Sequence, residues 1–105
     1  MTQPLTIIRR VVIVGGGIAG LSTAYALLEE AKKLGQSIEC TVLEAQPHWG
    51  GKIFTRRVDG LLVEGGPDSF LTTKPWALDL CKKIGLSEQL INTNQGQSQT
   101  FAYSR

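Results

Sequence analysis

The stretch Val11-Val12-Ile13-Val14-Gly15-Gly16-Gly17-Ile18-Ala19-Gly20 decides the fold of this 105-residue chain. Its unbroken run of β-branched residues, ended by glycine, predicts a parallel strand that is buried on both faces. The glycines predict a sharp turn out of that strand, and a helical pattern begins directly after them. A strand, a glycine turn and a helix in this order are typical of a dinucleotide-binding fold.

The three spaced glycines each have a physical task in such a turn. Gly15 lets the chain leave the strand, Gly17 leaves room for a pyrophosphate to approach the backbone, and Gly20 lets the helix pack closely on the strand. The start of the helix offers backbone N–H groups and the positive end of its dipole to the phosphates. The predicted cofactor-binding residues of this turn are Gly15, Gly16, Gly17, Ile18, Ala19 and Gly20.

A helix and a second parallel strand follow in the sequence. Apolar residues recur at helical spacing and predict an amphipathic helix from about residue 18 to residue 33, with Gly35 after its end. The predicted apolar face of this helix consists of Ile18, Leu21, Tyr25 and Leu28. The second strand covers about residues 38–43, and Glu44 ends it. We predict that Glu44 accepts hydrogen bonds from ribose hydroxyls, the alternative being an ordinary surface carboxylate.

After the second strand, the spacing of apolar residues no longer follows the strand–helix–strand pattern. Asp59-Gly60 between two apolar runs, residues 53–58 and 61–64, predicts a β-hairpin with a two-residue turn. A loop rich in glycine and proline follows, and Pro75 is expected in the first turn of a second helix that ends at Gly85. The predicted apolar face of this helix contains Trp76, Leu80 and Ile84. A polar loop from Asn92 to Gln99 precedes the start of a further strand at Phe101 and Tyr103.

Length and composition limit the function classes. A chain of 105 residues forms one domain at most, and a net charge of +2 does not by itself predict a nucleic-acid partner. Cys40, Cys81 and the single histidine, His48, lie in no metal-ligand spacing, so we predict no metal site. The two cysteines suit a reducing compartment, and neither a secretory signal nor a run long enough to cross a bilayer is visible.

A second glycine pair carries a resemblance to a known family. Glu44-Ala45-Gln46-Pro47-His48-Trp49-Gly50-Gly51-Lys52-Ile53-Phe54-Thr55 resembles the segment after the second strand in the flavoprotein family of amine oxidases, phytoene desaturases and protoporphyrinogen oxidases. That family has an acidic residue, a short spacer, two glycines and a basic residue here. The resemblance implies FAD as cofactor, with Ala45 and Lys52 among its contacts. An exposed lysine without a ligand is the alternative for Lys52.

A third motif narrows the resemblance. Glu64-Gly65-Gly66-Pro67-Asp68-Ser69-Phe70-Leu71 is similar to a segment of protoporphyrinogen oxidases, a group that includes the bacterial coproporphyrinogen III oxidases. The resemblance adds four FAD contacts, Gly66, Pro67, Asp68 and Ser69, for which a plain turn is the alternative. Trp49 and Trp76 are interpreted as packing or interface residues, and the sequence identifies no catalytic residue.

The resemblance implies both a fold and a reaction. The fold is α/β, namely the N-terminal part of a Rossmann-like FAD-binding domain, with a βαβ unit, a hairpin and a second helix over residues 1–105. It is incomplete without a C-terminal remainder and a substrate domain. The reaction is FAD-dependent oxidation of protoporphyrinogen IX or coproporphyrinogen III by dioxygen in haem biosynthesis, with release of hydrogen peroxide. The substrate and dioxygen are then the partners.

Several alternatives stay open on the sequence. Another flavin oxidase of the same superfamily, such as an amine oxidase or a carotenoid desaturase, differs chiefly in the third motif. A non-catalytic nucleotide-binding fragment is the other interpretation, because no substrate domain is visible. We expect a cytoplasmic location. The sequence leaves open whether the full-length protein contacts a membrane peripherally, which porphyrinogen it uses and which oligomeric state it has.

Overall fold

The computed structural model describes residues 7–96, so the strand predicted at Phe101 and Tyr103 lies outside the described residues. The chain divides after Ser69 into two compact units, of which residues 7–69 and 70–96 are described. Each unit is described by itself below.

The first unit is built on a strand–helix–strand arrangement with parallel strands. Strand β1 spans Arg9–Val14, helix α1 spans Ile18–Lys33, and strand β2 spans Ile38–Leu43. The two strands pair in parallel from Arg9 opposite Ile38 to Val14 opposite Leu43. Parallel strands need a crossover connection, which α1 provides. The predicted βαβ unit is therefore confirmed, and the carboxyl ends of both strands lie side by side.

The prediction that β1 is buried on both faces is wrong. Val11 and Ile13 are half-buried on the side that faces α1, whereas Val12 is 60% exposed and Val14 is 84% exposed. Strand β2 alternates in the same way, and Leu43 on its open side is 52% exposed. Successive side chains of a strand point to opposite faces, and within residues 7–96 only one face of this sheet is well covered.

Helix α1 packs on the sheet through small residues, which corrects the predicted apolar face. The buried residues are Ala24 and Ala31, while Ile18, Leu21 and Leu28 of the predicted face are 58%, 38% and 47% exposed. Tyr25 alone of the four predicted residues is half-buried. Small side chains let the helix axis approach the strands closely, so the packed face is the one that continues from Gly20 rather than the one with the largest side chains.

Glycine ends both helices in the same way. Gly35 follows α1 with φ +63°, and the N–H groups of Gly35 and Gln36 donate to the carbonyls of Lys32 and Ala31 at 3.2 and 2.9 Å. This is the Schellman arrangement, which pairs carbonyls that the helix leaves without partners. Gly85, with φ +78°, plays the same part after the second helix.

The predicted hairpin is present in the first unit. Strands β3, Thr55–Val58, and β4, Leu61–Glu64, pair antiparallel, and Thr55 donates a hydrogen bond of 2.7 Å to the Glu64 carboxylate across the pair. Asp59 and Gly60 connect them with φ values of +50° and +81°. Positive φ at both central residues is what a tight hairpin turn requires. All residues of the two strands are exposed.

The second unit contains helix α2, Pro75–Lys83, and a short 3₁₀ turn at Ser87–Gln89. Pro75 is in the first turn, as predicted, because a proline there lacks only an N–H that would have no intrahelical acceptor. The predicted apolar face is only partly correct. Leu80 is half-buried, but Trp76 is 72% exposed and Ile84 is 46% exposed.

Candidate dinucleotide site

The glycine turn lies at the carboxyl end of β1, next to the end of β2. Gly15 has φ +103°, a conformation that residues with a side chain rarely adopt, and its N–H donates to the Leu43 carbonyl at 2.7 Å. Gly16 is buried, and Gly17 is the extended residue that immediately precedes α1. The turn therefore joins the first strand, the second strand and the helix at one edge of the sheet.

Gly20 brings the helix into close contact with this turn. A Cβ atom on Gly20 would lie 1.8 Å from the Gly15 carbonyl oxygen and 3.5 Å from a methyl group of Ile13. The first distance is far below any real contact, so a larger residue would force the helix away from the turn. The task predicted for Gly20, close packing of helix on strand, matches this geometry.

The start of α1 has open space and backbone N–H groups that could bind an anion. Its N-cap residue, Gly17, makes no side-chain capping hydrogen bond, and the first turn contains no acidic residue. A Cβ atom on Gly17 would meet only one described atom within 4.0 Å, the Cα of Gly51. Backbone N–H groups and the helix dipole favour negative charge at such a terminus. The residues present therefore fit a pyrophosphate, which Ile18 and Ala19 at the helix start would face.

Glu44 connects the second strand to the glycine turn. Its Oε2 accepts a hydrogen bond from the Gly16 N–H at 2.7 Å, and its Oε1 accepts one from the Gln46 N–H at 2.8 Å. These backbone donors, Gln46 first and then Gly16, hold the pKa of Glu44 below its ordinary value. Each carboxylate oxygen has a second acceptor position, so ribose hydroxyls can still donate to it.

The second glycine pair packs on the first glycine motif. The Gly50 N–H donates to the Gly16 carbonyl at 2.9 Å, and Gly50 pairs with Gly17 as a parallel bridge. Gly50 and Gly51 have φ values of +99° and +59°, and a Cβ atom on Gly51 would lie 3.3 Å from the Gly17 Cα. The two glycine motifs thus form one backbone layer, a relation that sequence reasoning missed although both motifs were visible.

Trp49 lies against the same layer. A Cβ atom built on Gly16 would be 2.4 Å from Cε3 of the Trp49 ring and 3.0 Å from Oε2 of Glu44. The residue is nevertheless 58% exposed. The sequence identified Trp49 only as a packing or interface residue, and its position directly before Gly50 was the one signal that could have placed it here.

The other predicted site residues surround this layer more loosely. Ala45 and Lys52 are exposed, and Gly66 is half-buried against the Lys52 backbone, whose carbonyl oxygen would be 1.8 Å from a Cβ atom on Gly66. Gly66 is therefore required for packing, whatever it binds. Pro67, Asp68 and Ser69 are exposed, and the Ser69 hydroxyl donates to Asp68 at 3.1 Å. For the whole predicted set, a role in cofactor binding stays a prediction.

A metal centre and a membrane-spanning helix are both absent from residues 7–96. This part of the chain contains no group of three or more His, Cys, Asp or Glu residues placed to hold a metal ion. It also contains no helix with both the length and the apolar character needed to cross a membrane. A shallow hollow of about 260 Å³ lies at the opposite end of the sheet, beside Arg9 and Gly35.

Comparison with known families gives a match over most of the chain. A family model described as flavin-containing amine oxidoreductase matches residues 18–105. The coproporphyrinogen III oxidase of Bacillus subtilis (strain 168) is 47% identical over 90 residues, which cover 86% of this chain and 19% of that protein. The enzyme of the same name from Staphylococcus aureus (strain NCTC 8325 / PS 47) is 40% identical over 97 residues, which cover 92% of this chain and 20% of its own.

Solved structures agree with the sequence comparisons. A protein from Exiguobacterium sp. 255-15, provisionally described as a protoporphyrinogen oxidase, aligns with a TM-score of 0.65 and 46% identity over 76% of this chain and 17% of its own. A putrescine oxidase aligns with a TM-score of 0.59 and 33% identity over 75% of this chain and 16% of its own. The predictions of an α/β FAD-binding fold and of FAD as cofactor are confirmed at the level of the family. The chain spans about one fifth of the length of the relatives that it matches.

Proposed function

Because the chain belongs to the flavin-containing amine oxidoreductase family, we propose that it is the N-terminal part of an FAD-dependent oxidase of haem biosynthesis. The proposed substrate is a porphyrinogen, with coproporphyrinogen III favoured over protoporphyrinogen IX. The proposed oxidant is dioxygen, which leaves as hydrogen peroxide. The observation that carries this proposal is the 47% identity to a coproporphyrinogen III oxidase over 90 residues, which cover 86% of this chain.

The described residues would serve to hold the cofactor. The pyrophosphate would lie at Gly15, Gly17 and the start of α1, where the backbone offers N–H groups and no side chain intrudes. The Glu44 carboxylate, kept ionised by two backbone N–H groups, would accept the ribose hydroxyls. Bound flavin would supply the electron transfer between porphyrinogen and dioxygen, while the protein supplies position and exclusion of water.

The third motif supports a porphyrinogen rather than an amine as substrate. Gly65-Gly66-Pro67-Asp68-Ser69-Phe70 resembles the porphyrinogen oxidases, and Gly66 fixes the start of this segment against the backbone of Lys52. The relatives named as protoporphyrinogen oxidases, from Spinacia oleracea and Arabidopsis thaliana, are 42% and 40% identical. The identity to coproporphyrinogen III oxidases reaches 47%, which is the ground for preferring that substrate.

Two other functions remain as rivals. An amine oxidase is favoured by one observation, the structural match to a putrescine oxidase. That match has 33% identity, against 46% for the protein from Exiguobacterium. A non-catalytic nucleotide-binding module is the other rival, since a substrate wall is not among the described residues.

A comparison of substrates tests the proposal. The full-length protein should purify yellow, show a flavin absorption spectrum, and release peroxide with coproporphyrinogen III faster than with protoporphyrinogen IX or with putrescine. Release of peroxide with putrescine and not with either porphyrinogen would favour the amine oxidase. A colourless protein that takes up no added FAD would favour the empty module.

We also propose a cytoplasmic location for the protein. Cys40 and Cys81 are free and half-buried, which suits a reducing compartment. Peripheral attachment to a membrane is the alternative. Fractionation of cell extracts decides between them, because an attached protein would sediment with membranes and be released by salt or detergent.

A further inference from the structure

Trp49 occupies an unusual position for a large apolar side chain. Its six-membered ring lies against the Cα of Gly16, yet 58% of the residue is exposed. Both backbone groups of Gly16 are hydrogen-bonded, because its N–H donates to the Glu44 carboxylate and its carbonyl accepts from the Gly50 N–H. The ring therefore stands on a fixed backbone layer and not on a loose loop.

The indole also stands beside the Glu44 carboxylate. Cε3 of Trp49 and Oε2 of Glu44 both lie against the point where a Gly16 Cβ atom would be, at 2.4 and 3.0 Å from it. Under the proposed function, on which this inference rests, Glu44 binds the ribose of the adenosine half of FAD. An exposed aromatic ring beside that carboxylate would reach the same half of the cofactor.

We propose that the Trp49 indole forms one wall of the adenosine subsite and contacts the ribose and adenine of bound FAD. Aromatic rings stack on nucleic-acid bases because both present flat apolar faces. The ring would also shield the hydrogen bonds between ribose and Glu44 from water. The pyrophosphate, at the glycine turn and helix start, would not touch it.

Binding of fragments of FAD separates this role from a structural one. The full-length apoprotein is titrated with FAD, and ADP and inorganic pyrophosphate are tested as competitors, with flavin fluorescence as the readout. Trp49→Ala should lower the affinity for FAD and for ADP about tenfold, as expected for the loss of one base–aromatic contact. The same variant should leave the affinity for pyrophosphate within about twofold of the wild type, and Trp49→Phe should keep most of the ADP affinity.

Trp76 provides a matched control, since it is the other tryptophan and is also exposed, at 72%. Trp76→Ala should change none of the three affinities. Equal weakening of ADP and pyrophosphate by Trp49→Ala would overturn the inference, because Trp49 would then act on the shape of the glycine turn. Unchanged binding of ADP by Trp49→Ala would overturn it as well. The proposed function would still stand in that case, provided that the wild-type protein binds FAD. A wild-type apoprotein that binds neither FAD nor ADP would refute the proposed function itself.

Discussion

At the scale of single residues, the glycines of the first motif differ in what requires them. Gly20 is required by the protein itself, because a side chain there would collide with the Gly15 carbonyl. Gly17 is different: its backbone is extended, with φ −81° and ψ −174°, and the space around its missing side chain is open. The fold tolerates a methyl group at Gly17, so the absence of one is best explained by the ligand.

This difference predicts the behaviour of two alanine variants. Gly17→Ala should change the stability of the apoprotein by less than about 1 kcal/mol, since reduced freedom of the unfolded chain offsets a poorer N-cap. Gly17→Ala should also lower the affinity for FAD at least tenfold, and Gly17→Leu should abolish flavin retention. Gly20→Ala should instead destabilise the apoprotein by about 1–3 kcal/mol or more. Urea denaturation and FAD titration measure both effects, and a yellow Gly17→Leu protein with full flavin content would contradict the role of Gly17.

Glu44 predicts a dependence of stability on pH. Its pKa is lowered in the folded state by the N–H groups of Gln46 and Gly16, so folding favours the ionised form. The stabilisation is therefore complete above the ordinary pKa of 4.5 and is lost as the pH falls through the lower folded-state value. Urea midpoints measured between about pH 7 and pH 3 should fall more steeply for the wild type than for Glu44→Gln. Glu39→Gln, which removes an exposed carboxylate of β2, is the control, and equal slopes for wild type and Glu44→Gln would exclude this contribution.

At the scale of elements, α1 shows how a close approach selects the packed face of a helix. Once Gly20 rests on the Gly15 carbonyl, the residues that follow on that side, Ala24 and Ala31, meet the sheet. The larger residues of the predicted apolar face, Ile18, Leu21 and Leu28, are left at least 38% exposed. The stabilising contribution of α1 in this unit therefore depends on fit more than on the total apolar area.

A pair of opposite substitutions tests this packing. Ala31 is 5% exposed, so Ala31→Leu should destabilise the protein by about 1–3 kcal/mol through overpacking. Leu28→Ala removes a larger side chain but should cost less, because Leu28 is already 47% exposed. Urea denaturation of the two variants gives the comparison. A larger loss for Leu28→Ala would mean that the face predicted from periodicity is the packed one.

At the scale of the whole molecule, the described chain leaves much apolar surface open. Val12, Val14 and Leu43 form an apolar patch on the open face of the sheet, each more than half exposed. The hairpin adds Leu61 and Leu62, which are 69% and 61% exposed. Patches of this kind mark surfaces that pack against further protein. They agree with a chain that matches about one fifth of its relatives' length.

The 105-residue chain expressed alone should therefore behave differently from the full-length protein. It should retain FAD poorly and show no porphyrinogen oxidation above the rate of autoxidation, because the two parallel strands within residues 7–96 surround only part of a dinucleotide. It should also self-associate, since unpaired strand edges and apolar faces favour contact between chains. Size-exclusion chromatography and peroxide assays of the two forms make the comparison. The prediction would be contradicted if the isolated chain oxidised a porphyrinogen and its Gly17→Leu variant did not.

The sequence alone determined the elements that depend on local rules. Glycine at positive φ after each helix, proline in a first helical turn and Asp59-Gly60 in a hairpin all follow from backbone sterics within a few residues, and each was predicted in place. The parallel pairing of β1 and β2 also followed, because an intervening helix leaves parallel strands as the natural arrangement.

Only the tertiary structure decided which surfaces meet. Periodicity identified apolar residues of α1 but not the face that packs, because burial depends on how closely Gly20 allows the helix to approach. An unbroken apolar run at β1 indicated two covered faces, although residues 7–96 cover one of them well. The contacts of Gly50 and Gly51 with Gly16 and Gly17, and of the Trp49 ring with Gly16, join residues more than 30 positions apart. Such contacts depend on the three-dimensional path of the backbone, which no local pattern contains.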